Sequence, residues 1–208
     1  VKHILVVVDE SIRADFLDLQ PGNTTTPNLG KLASQLINFG PAVSGGVCSN
    51  YSNALIRFGA SRKDLTDSVN SNATIFAYAK KAGYRTVYID AQAYNNARGH
   101  KIQNFMNLRE KGEIDGFYAI SSTKVTEADY ELNKIIAAEL KSNTPVFIYA
   151  NKNGAHFPYD DSYPADQAIH HPTQTEVGDT VASRLNSYRN SIDWTVDRWM
   201  ANLFTIAD

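Results

Sequence analysis

The chain has 208 residues, 43% of them hydrophobic, with 20 basic and 22 acidic side chains and a net charge of −2. That is enough for one ordinary domain with its own hydrophobic core, and the composition excludes a disordered tail, a coiled coil and a collagen-like repeat. The balanced charge gives no field for holding a polyanion, so nucleic acid is not an expected partner. No apolar run approaches the roughly 20 residues of a membrane-spanning helix.

In chain order, residues 3–8 form a continuous apolar, mostly β-branched run that reads as a central parallel strand buried on both faces, with Asp9-Glu10-Ser11 at its carboxyl end. Asn23-Thr24-Thr25-Thr26-Pro27 is a helix start signal, and Leu29, Leu32, Ala33 and Leu36 predict a helix over 27–35. A helix over 73–82, stopped by Gly83, leads into a second strand over 85–90. Thr126 and Asp129 have the spacing of a capping box ahead of a helix bearing Leu132, Ile135, Ile136 and Leu140, and residues 146–150 form a third buried strand. Residues 160–179 read as one long surface loop. Val181, Leu185, Tyr188, Ile192, Val196, Trp199 and Leu203 then step through a long amphipathic helix.

Alternating helices and strands predict an α/β fold with a mostly parallel central sheet flanked by helices, whose site lies at the carboxyl ends of its strands. Those ends carry Asp9-Glu10, Asp90-Ala91-Gln92 and Asn151-Lys152-Asn153-Gly154-Ala155-His156. Asp9 and Glu10 are either a metal-ligand pair or a solvated strand end. Ser49 follows the small-residue loop Ser44-Gly45-Gly46-Val47-Cys48 and opens a helix, where it is either a nucleophile or an N-cap. His156 can bind a phosphoryl oxygen or protonate a leaving group, or it is a structural loop residue. His170-His171 reads as solvated, or as an adventitious metal site. Asn50-Tyr51-Ser52 and Asn72-Ala73-Thr74 match the short glycosylation pattern. Cys48, the only cysteine, excludes a disulfide framework and a cysteine-rich zinc site, and no Gly-Lys-Ser/Thr follows the glycines to make a P-loop.

Five segments in order carry a stronger signal. They are Ile4 to Asp15, with Glu10-Ser11-Ile12-Arg13-Ala14-Asp15 followed by Thr25-Thr26-Pro27-Asn28-Leu29; Ser44 to Phe58; Ala82 to Asp90; Asn151 to Pro158; and the helix holding residues 186–192. Together they resemble the alkaline phosphatase and sulfatase superfamily, in its phosphoethanolamine and phosphoglycerol transferase branch, over nearly the whole chain.

The resemblance implies a metal-dependent transferase, with zinc, or manganese as the alternative, held by Glu10 and Ser49, with Asp9 the further candidate ligand from its place at the strand end. Ser49 stands at the place of a threonine that takes up the phosphoryl group, and His156 acts at the substrate phosphate or leaving group. Asn151, Asp90 and Gln92 are the implied substrate contacts. The implied partners are a phospholipid or phosphodiester donor and an alcohol or sugar acceptor. The parent protein would be an inner-membrane protein with this domain in the periplasm or outside the cell. A phosphatase, phosphodiesterase or sulfatase-like hydrolase is the alternative within the fold, and a non-catalytic binding module is the alternative from another class.

The chain also departs from that pattern. Serine replaces threonine at position 49, and Asn151 replaces the first histidine of the His-x-x-Gly-x-His-x-Pro loop. Asn96 falls near the place of a lysine, and the family disulfides are missing. Cys48 lacks the proline and arginine that follow a sulfatase's modified cysteine, since Asn50 and Ser52 stand there. The Asp-His-Gly motif that completes the metal site is unmatched. The expectation is therefore an N-terminal part of a single sulfatase-like catalytic domain over 1–208, truncated before the C-terminal metal-ligand strand, which by itself binds metal weakly and turns over little or nothing.

Overall fold

The computed structural model describes residues 1–19, 22–92, 106–120 and 124–207. They form two compact units. The first joins residues 1–8, 43–121 and 138–151, and the second joins residues 9–42, 122–137 and 152–208.

The first unit holds a parallel sheet. Its strands are β1 (Ile4–Val8), β2 (Arg85–Asp90), β3 (Gly116–Ala119) and β4 (Val146–Asn151), in the order β1-β4-β2-β3. Every residue of β4, and all of β2 after Arg85, is buried, which is why these segments read as unbroken apolar runs. The register sets Val8 opposite Asn151 and Asn151 opposite Asp90, so the three strands end level.

β1 corrects the expectation of a central strand, because among the described residues it pairs only with β4 and lies at the sheet edge. Nor is it buried on both faces, since Ile4 is exposed and residues 5–8 are half-buried: a continuous apolar run marks a strand without fixing how many strands pair with it or how far it is covered. β3 was not expected; its four residues alternate between half-buried and exposed, which leaves too short a pattern to read.

Around the sheet lie α2 (Ser49–Phe58), α3 (Leu65–Ser71), α4 (Ile75–Lys81) and α5 (Leu108–Gly112). Thr74 caps α4 by accepting from the Ala77 amide at 3.1 Å, and Gly83, at φ 85°, turns the chain into β2. The core clusters Phe76, Tyr88, Met106, Phe147 and Tyr149. Tyr88 and Tyr149 stack at 5.8 Å, and the edge of Phe76 meets Phe147 at 5.9 Å.

The second unit is helical. It contains α1 (Pro27–Leu32), which tightens into a 3-10 turn over Ala33–Gln35, so the predicted helix over 27–35 is present. It also contains most of α6 (Val125–Leu140), the short α7 (Gln174–Val177), and α8 (Val181–Ile192) leading through a wider π-turn (Asp193–Arg198) into α9 (Trp199–Ala207). Leu29, Ala155, Tyr188, Ile192 and Val196 form its core, with Phe16 and Tyr159 packed on Tyr188 at 4.9 and 4.8 Å. The predicted helix after Val181 is there, but the π-turn changes the step inside it.

Two local readings change. Thr126 and Asp129 do not form a capping box. Thr126 already lies inside α6, and both Asp129 carboxylate oxygens accept backbone amides, from Asn153 at 2.7 Å and Gly154 at 3.0 Å. The 160–179 stretch is organised, with 3-10 turns at Tyr159–Asp161 and Ala165–Gln167, then α7 behind a Thr173/Glu176 capping box. Its polar residues serve one another: Asp160 accepts from the Tyr163 hydroxyl at 2.5 Å and from the Thr175 amide and hydroxyl at 2.7 and 2.6 Å.

Candidate active site

In the first unit, three of the expected substrate contacts come together at the ends of β2 and β4. Asp90 Oδ1 accepts from Asn151 Nδ2 and from the Gln92 amide, each at 3.0 Å. All three residues are buried. Burial raises the Asp90 pKa, while the two donors and the nearby Arg57 guanidinium oppose the rise. Asn151 Oδ1 is buried with no hydrogen-bond partner among the described residues, so an acceptor is held ready at this strand end.

Ser49 is the first residue of α2, and Cys48 occupies the N-cap with extended backbone and no side-chain cap bond. The reading of Ser49 as an N-cap is therefore not what the fold shows. The preceding loop folds back on the helix it starts. A Cβ on Gly46 would stand 2.9 Å from Tyr51 Cβ and 3.4 Å from the Ser52 amide nitrogen, so a side chain is crowded out there, whereas one on Gly45 would meet only the movable Leu55 Cδ1. A ten-residue helix directs its positive dipole end at whatever meets Ser49, which favours a phosphoryl group. α2 is anchored twice: Tyr149 donates its hydroxyl to Asn53 Oδ1 at 2.7 Å, and Arg57, fully buried, pairs with the equally buried Glu110 of α5 at 2.6 Å.

In the second unit, Asp9 and Glu10 begin directly after β1. Asp9 Oδ2 accepts from the Lys152 ammonium at 2.8 Å, and Asp9 Oδ1 accepts from the Glu10 amide at 3.2 Å. The Ala155 amide donates to the Glu10 carbonyl at 3.1 Å, and Ser11 Oγ donates to the Glu10 carboxylate at 2.9 Å. Gly154 makes this clasp possible. Its φ is +57°, and a Cβ there would stand 2.6 Å from the Glu10 carbonyl oxygen and 2.8 Å from Asp9 Oδ1. Past the glycine, His156 is exposed, with Nδ1 2.6 Å from the Phe157 carbonyl. The following turn is pinned by Tyr188, whose hydroxyl donates to the Ser11 carbonyl at 2.7 Å and accepts from the Arg13 amide at 2.8 Å.

The donor set for a metal is incomplete. Among the described residues no group of three or more His, Cys, Asp and Glu side chains is placed to hold an ion. Asp9 is committed to a buried lysine, which leaves Glu10 as the carboxylate this strand end offers. Zinc takes three or four protein donors, and at this strand end Glu10 can supply one. His171 pairs with Glu176 at 2.9 Å and lies exposed. Asn72 Nδ2 donates to the Phe58 carbonyl, and Asn96 lies outside the described residues. Lys152 and Asp129 were missed by the sequence reading. The available signal was a charged residue lodged between a wholly apolar strand and Asn-Gly-Ala, which has to be paired if it is buried.

The Sulfatase family profile matches residues 2–206. The chain belongs to the Sulfatase family. No curated protein matches the chain significantly. Among solved structures, this Sulfatase-family chain is similar to the C-terminal periplasmic domain of EcEptC from Escherichia coli in complex with Zn, at 18% identity and TM-score 0.73, covering 98% of this chain and 58% of that one. It is similar to the C-terminal periplasmic domain of the phosphoethanolamine transferase EptC from Campylobacter jejuni, at 20% identity and TM-score 0.70, covering 98% and 62%. It is also similar to the integral membrane protein lipooligosaccharide phosphoethanolamine transferase A from Neisseria meningitidis, at 18% identity and TM-score 0.73, covering 98% and 38%. The chain thus spans less than two thirds of the length of these structures. At such identities the likeness establishes the fold, a mostly parallel sheet with flanking helices. Among the described residues no helix is long and apolar enough to cross a membrane.

Proposed function

We propose that the chain takes part in metal-dependent transfer of a phosphoethanolamine- or phosphoglycerol-type group through a phosphorylated Ser49. The observation that carries this reading is the place of Ser49, the first residue of a ten-residue helix behind a loop folded so tightly that Gly46 has no room for a side chain. Ser49 Oγ forms a bond to phosphorus as the bond from phosphorus to the donor alcohol breaks. The hydroxyl proton leaves Ser49 and the departing oxygen gains one, a transfer assigned to His156, which is exposed and within reach of solvent. An alcohol or sugar hydroxyl then attacks the same phosphorus, and Ser49 recovers its proton. Asp90, Asn151 and Gln92 contact the substrate.

Glu10 and Ser49 are the donors this chain contributes to a divalent metal, zinc or manganese, which supplies a lowered hydroxyl pKa when bound. Asp9 acts on Glu10 from its pair with Lys152. The two units work as one sulfatase-like catalytic domain, since a single family match runs through both. By likeness to periplasmic domains, the parent protein sits in the inner membrane with this domain on its outer side.

The test is intact-mass spectrometry of the full-length parent protein, which would carry the remaining metal donors, after incubation with zinc and vesicles of phosphatidylethanolamine or phosphatidylglycerol. A head-group adduct mapped to Ser49, absent in Ser49→Ala and retained in Ser49→Thr, is the expected result. An adduct that survives Ser49→Ala overturns the assignment. Release of free phosphate or phosphoalcohol, with no transfer to an added alcohol, makes the protein a hydrolase. No adduct and no product with either lipid makes it a binding module.

A further inference from the structure

The stretch that leads to Ser49 is apolar and faces water. Between Lys31 and Arg57 the chain has no charged residue, although charged residues make up 20% of the whole. In the first unit, Val43 is 97% exposed, Val47 is wholly exposed and Tyr51 is half-exposed. Scattered apolar residues at a surface are ordinary, but these three lie on one loop and the helix turn it folds onto. The loop meets α2 at Gly46, where a Cβ would stand only 2.9 Å from Tyr51 Cβ. Tyr51 in turn lines a hollow of about 460 Å3 with Arg62, Lys63, Asp64 and Asp67. Both basic side chains are exposed. Asp64 accepts from the Ser61 amide at 3.2 Å and from the Ser61 hydroxyl, while Asp67 is exposed. An apolar tip beside a hollow bearing both signs of charge has the chemistry of a zwitterionic phospholipid surface. Valines enter the acyl boundary, a tyrosine sits at head-group level, Arg and Lys reach the phosphodiester, and a carboxylate meets the ammonium.

We propose that Val43, Val47 and Tyr51, together with the hollow of Arg62, Lys63 and Asp67, dock this protein on a bilayer of zwitterionic phospholipid. This deepens the reading of Ser49 as the residue that meets a phospholipid donor and rests on that reading for its purpose, since docking brings the bilayer to a residue two positions from Val47.

Co-sedimentation of the 208-residue chain with phosphatidylcholine vesicles in metal-free buffer tests it. Wild type should bind, Val43→Ser/Val47→Ser should bind at least 10-fold more weakly, and Arg62→Ser/Lys63→Ser about 3-fold more weakly. All four positions are exposed, so circular dichroism should show the three proteins equally folded. No binding by wild type, or equal binding by either variant, overturns the proposal. Cys48, exposed beside Val47, reports on other occupants of the surface. Its reaction with a water-soluble maleimide should slow when vesicles are added, both in this chain and in the full-length parent protein. Protection that grows with protein concentration in the absence of lipid identifies a second copy as the occupant, and protection in the dilute, lipid-free parent identifies the parent's own residues; either overturns the proposal. Phosphatidylcholine is not one of the proposed donors and no readout involves transfer. A missing Ser49 adduct therefore leaves the docking result standing, and absent docking leaves the adduct result standing.

Discussion

At the scale of single residues, the second unit stores charges that water would ordinarily solvate. Asp193, buried at the start of the π-turn, has its pKa raised from 3.8 to about 6, mainly by burial, although the Arg198 guanidinium at 2.8 Å works in the other direction. Between those two values the folded chain holds a proton that the unfolded chain has released, so stability falls as pH rises through this window. Above about 6 the penalty is complete, and below 3.8 it vanishes. Denaturant melts between pH 4 and pH 7 should therefore show wild type losing stability relative to Asp193→Asn as pH climbs, and the Asp193 carboxyl carbon should titrate near 6 by NMR. Parallel curves for the two proteins would show that the carboxyl is not the titrating group. Few of these residue-level features were legible beforehand. Glu10, Ser49 and His156 stand out because they follow strands or open a helix. Lys152 and Asp193 do not, because their burial follows from which helix covers them.

At the scale of elements, α2 is fixed through a device its sequence only half reveals. Arg57 sits on the inner face of the helix, and its pairing with Glu110, 53 residues further on, joins α2 to α5. Leaving one member of such a pair unpaired costs about 3–5 kcal/mol, whereas replacing both by apolar residues is often neutral. Glu110→Gln should thus destabilise the protein by about that amount, and Arg57→Met/Glu110→Leu should recover most of it in chemical denaturation. A recovery no better than the single variant would place the anchor of α2 elsewhere. The elements themselves were largely legible. β2 and β4 came out within a residue of their bounds, since a strand buried on both faces and preceded by Gly83 or Pro145 carries its own punctuation. The π-turn after α8 was not, because Ile192, Val196 and Trp199 keep helical spacing whether the intervening turn is ordinary or wide. The Asp129 misreading has a related cause: a residue three places after a threonine caps a helix only if the helix begins between them.

At the scale of the molecule, order in the sheet decides where the chain is most firmly held. β4 and β2 are each flanked on both sides, while β1 and β3 lie at the two edges among the described residues. Amide hydrogen exchange should be slowest in residues 146–151 and 85–90 and faster in residues 4–8 and 116–119; uniform protection across all four strands would contradict this ranking. The α/β class was legible from alternation alone, but strand order was not. A sequence shows which strands are covered by helices and leaves open which strand stands beside which.

β1 has a further consequence at its outer side. Its peptide groups there meet no strand among the described residues, and Ile4 is 42% exposed. Such a row of donors and acceptors is a template for another backbone. Ile4→Lys sets a charge on this strand, and light scattering of concentrated solutions of the 208-residue chain should show less self-association in that variant than in wild type; equal scattering would show that the edge is not the contact.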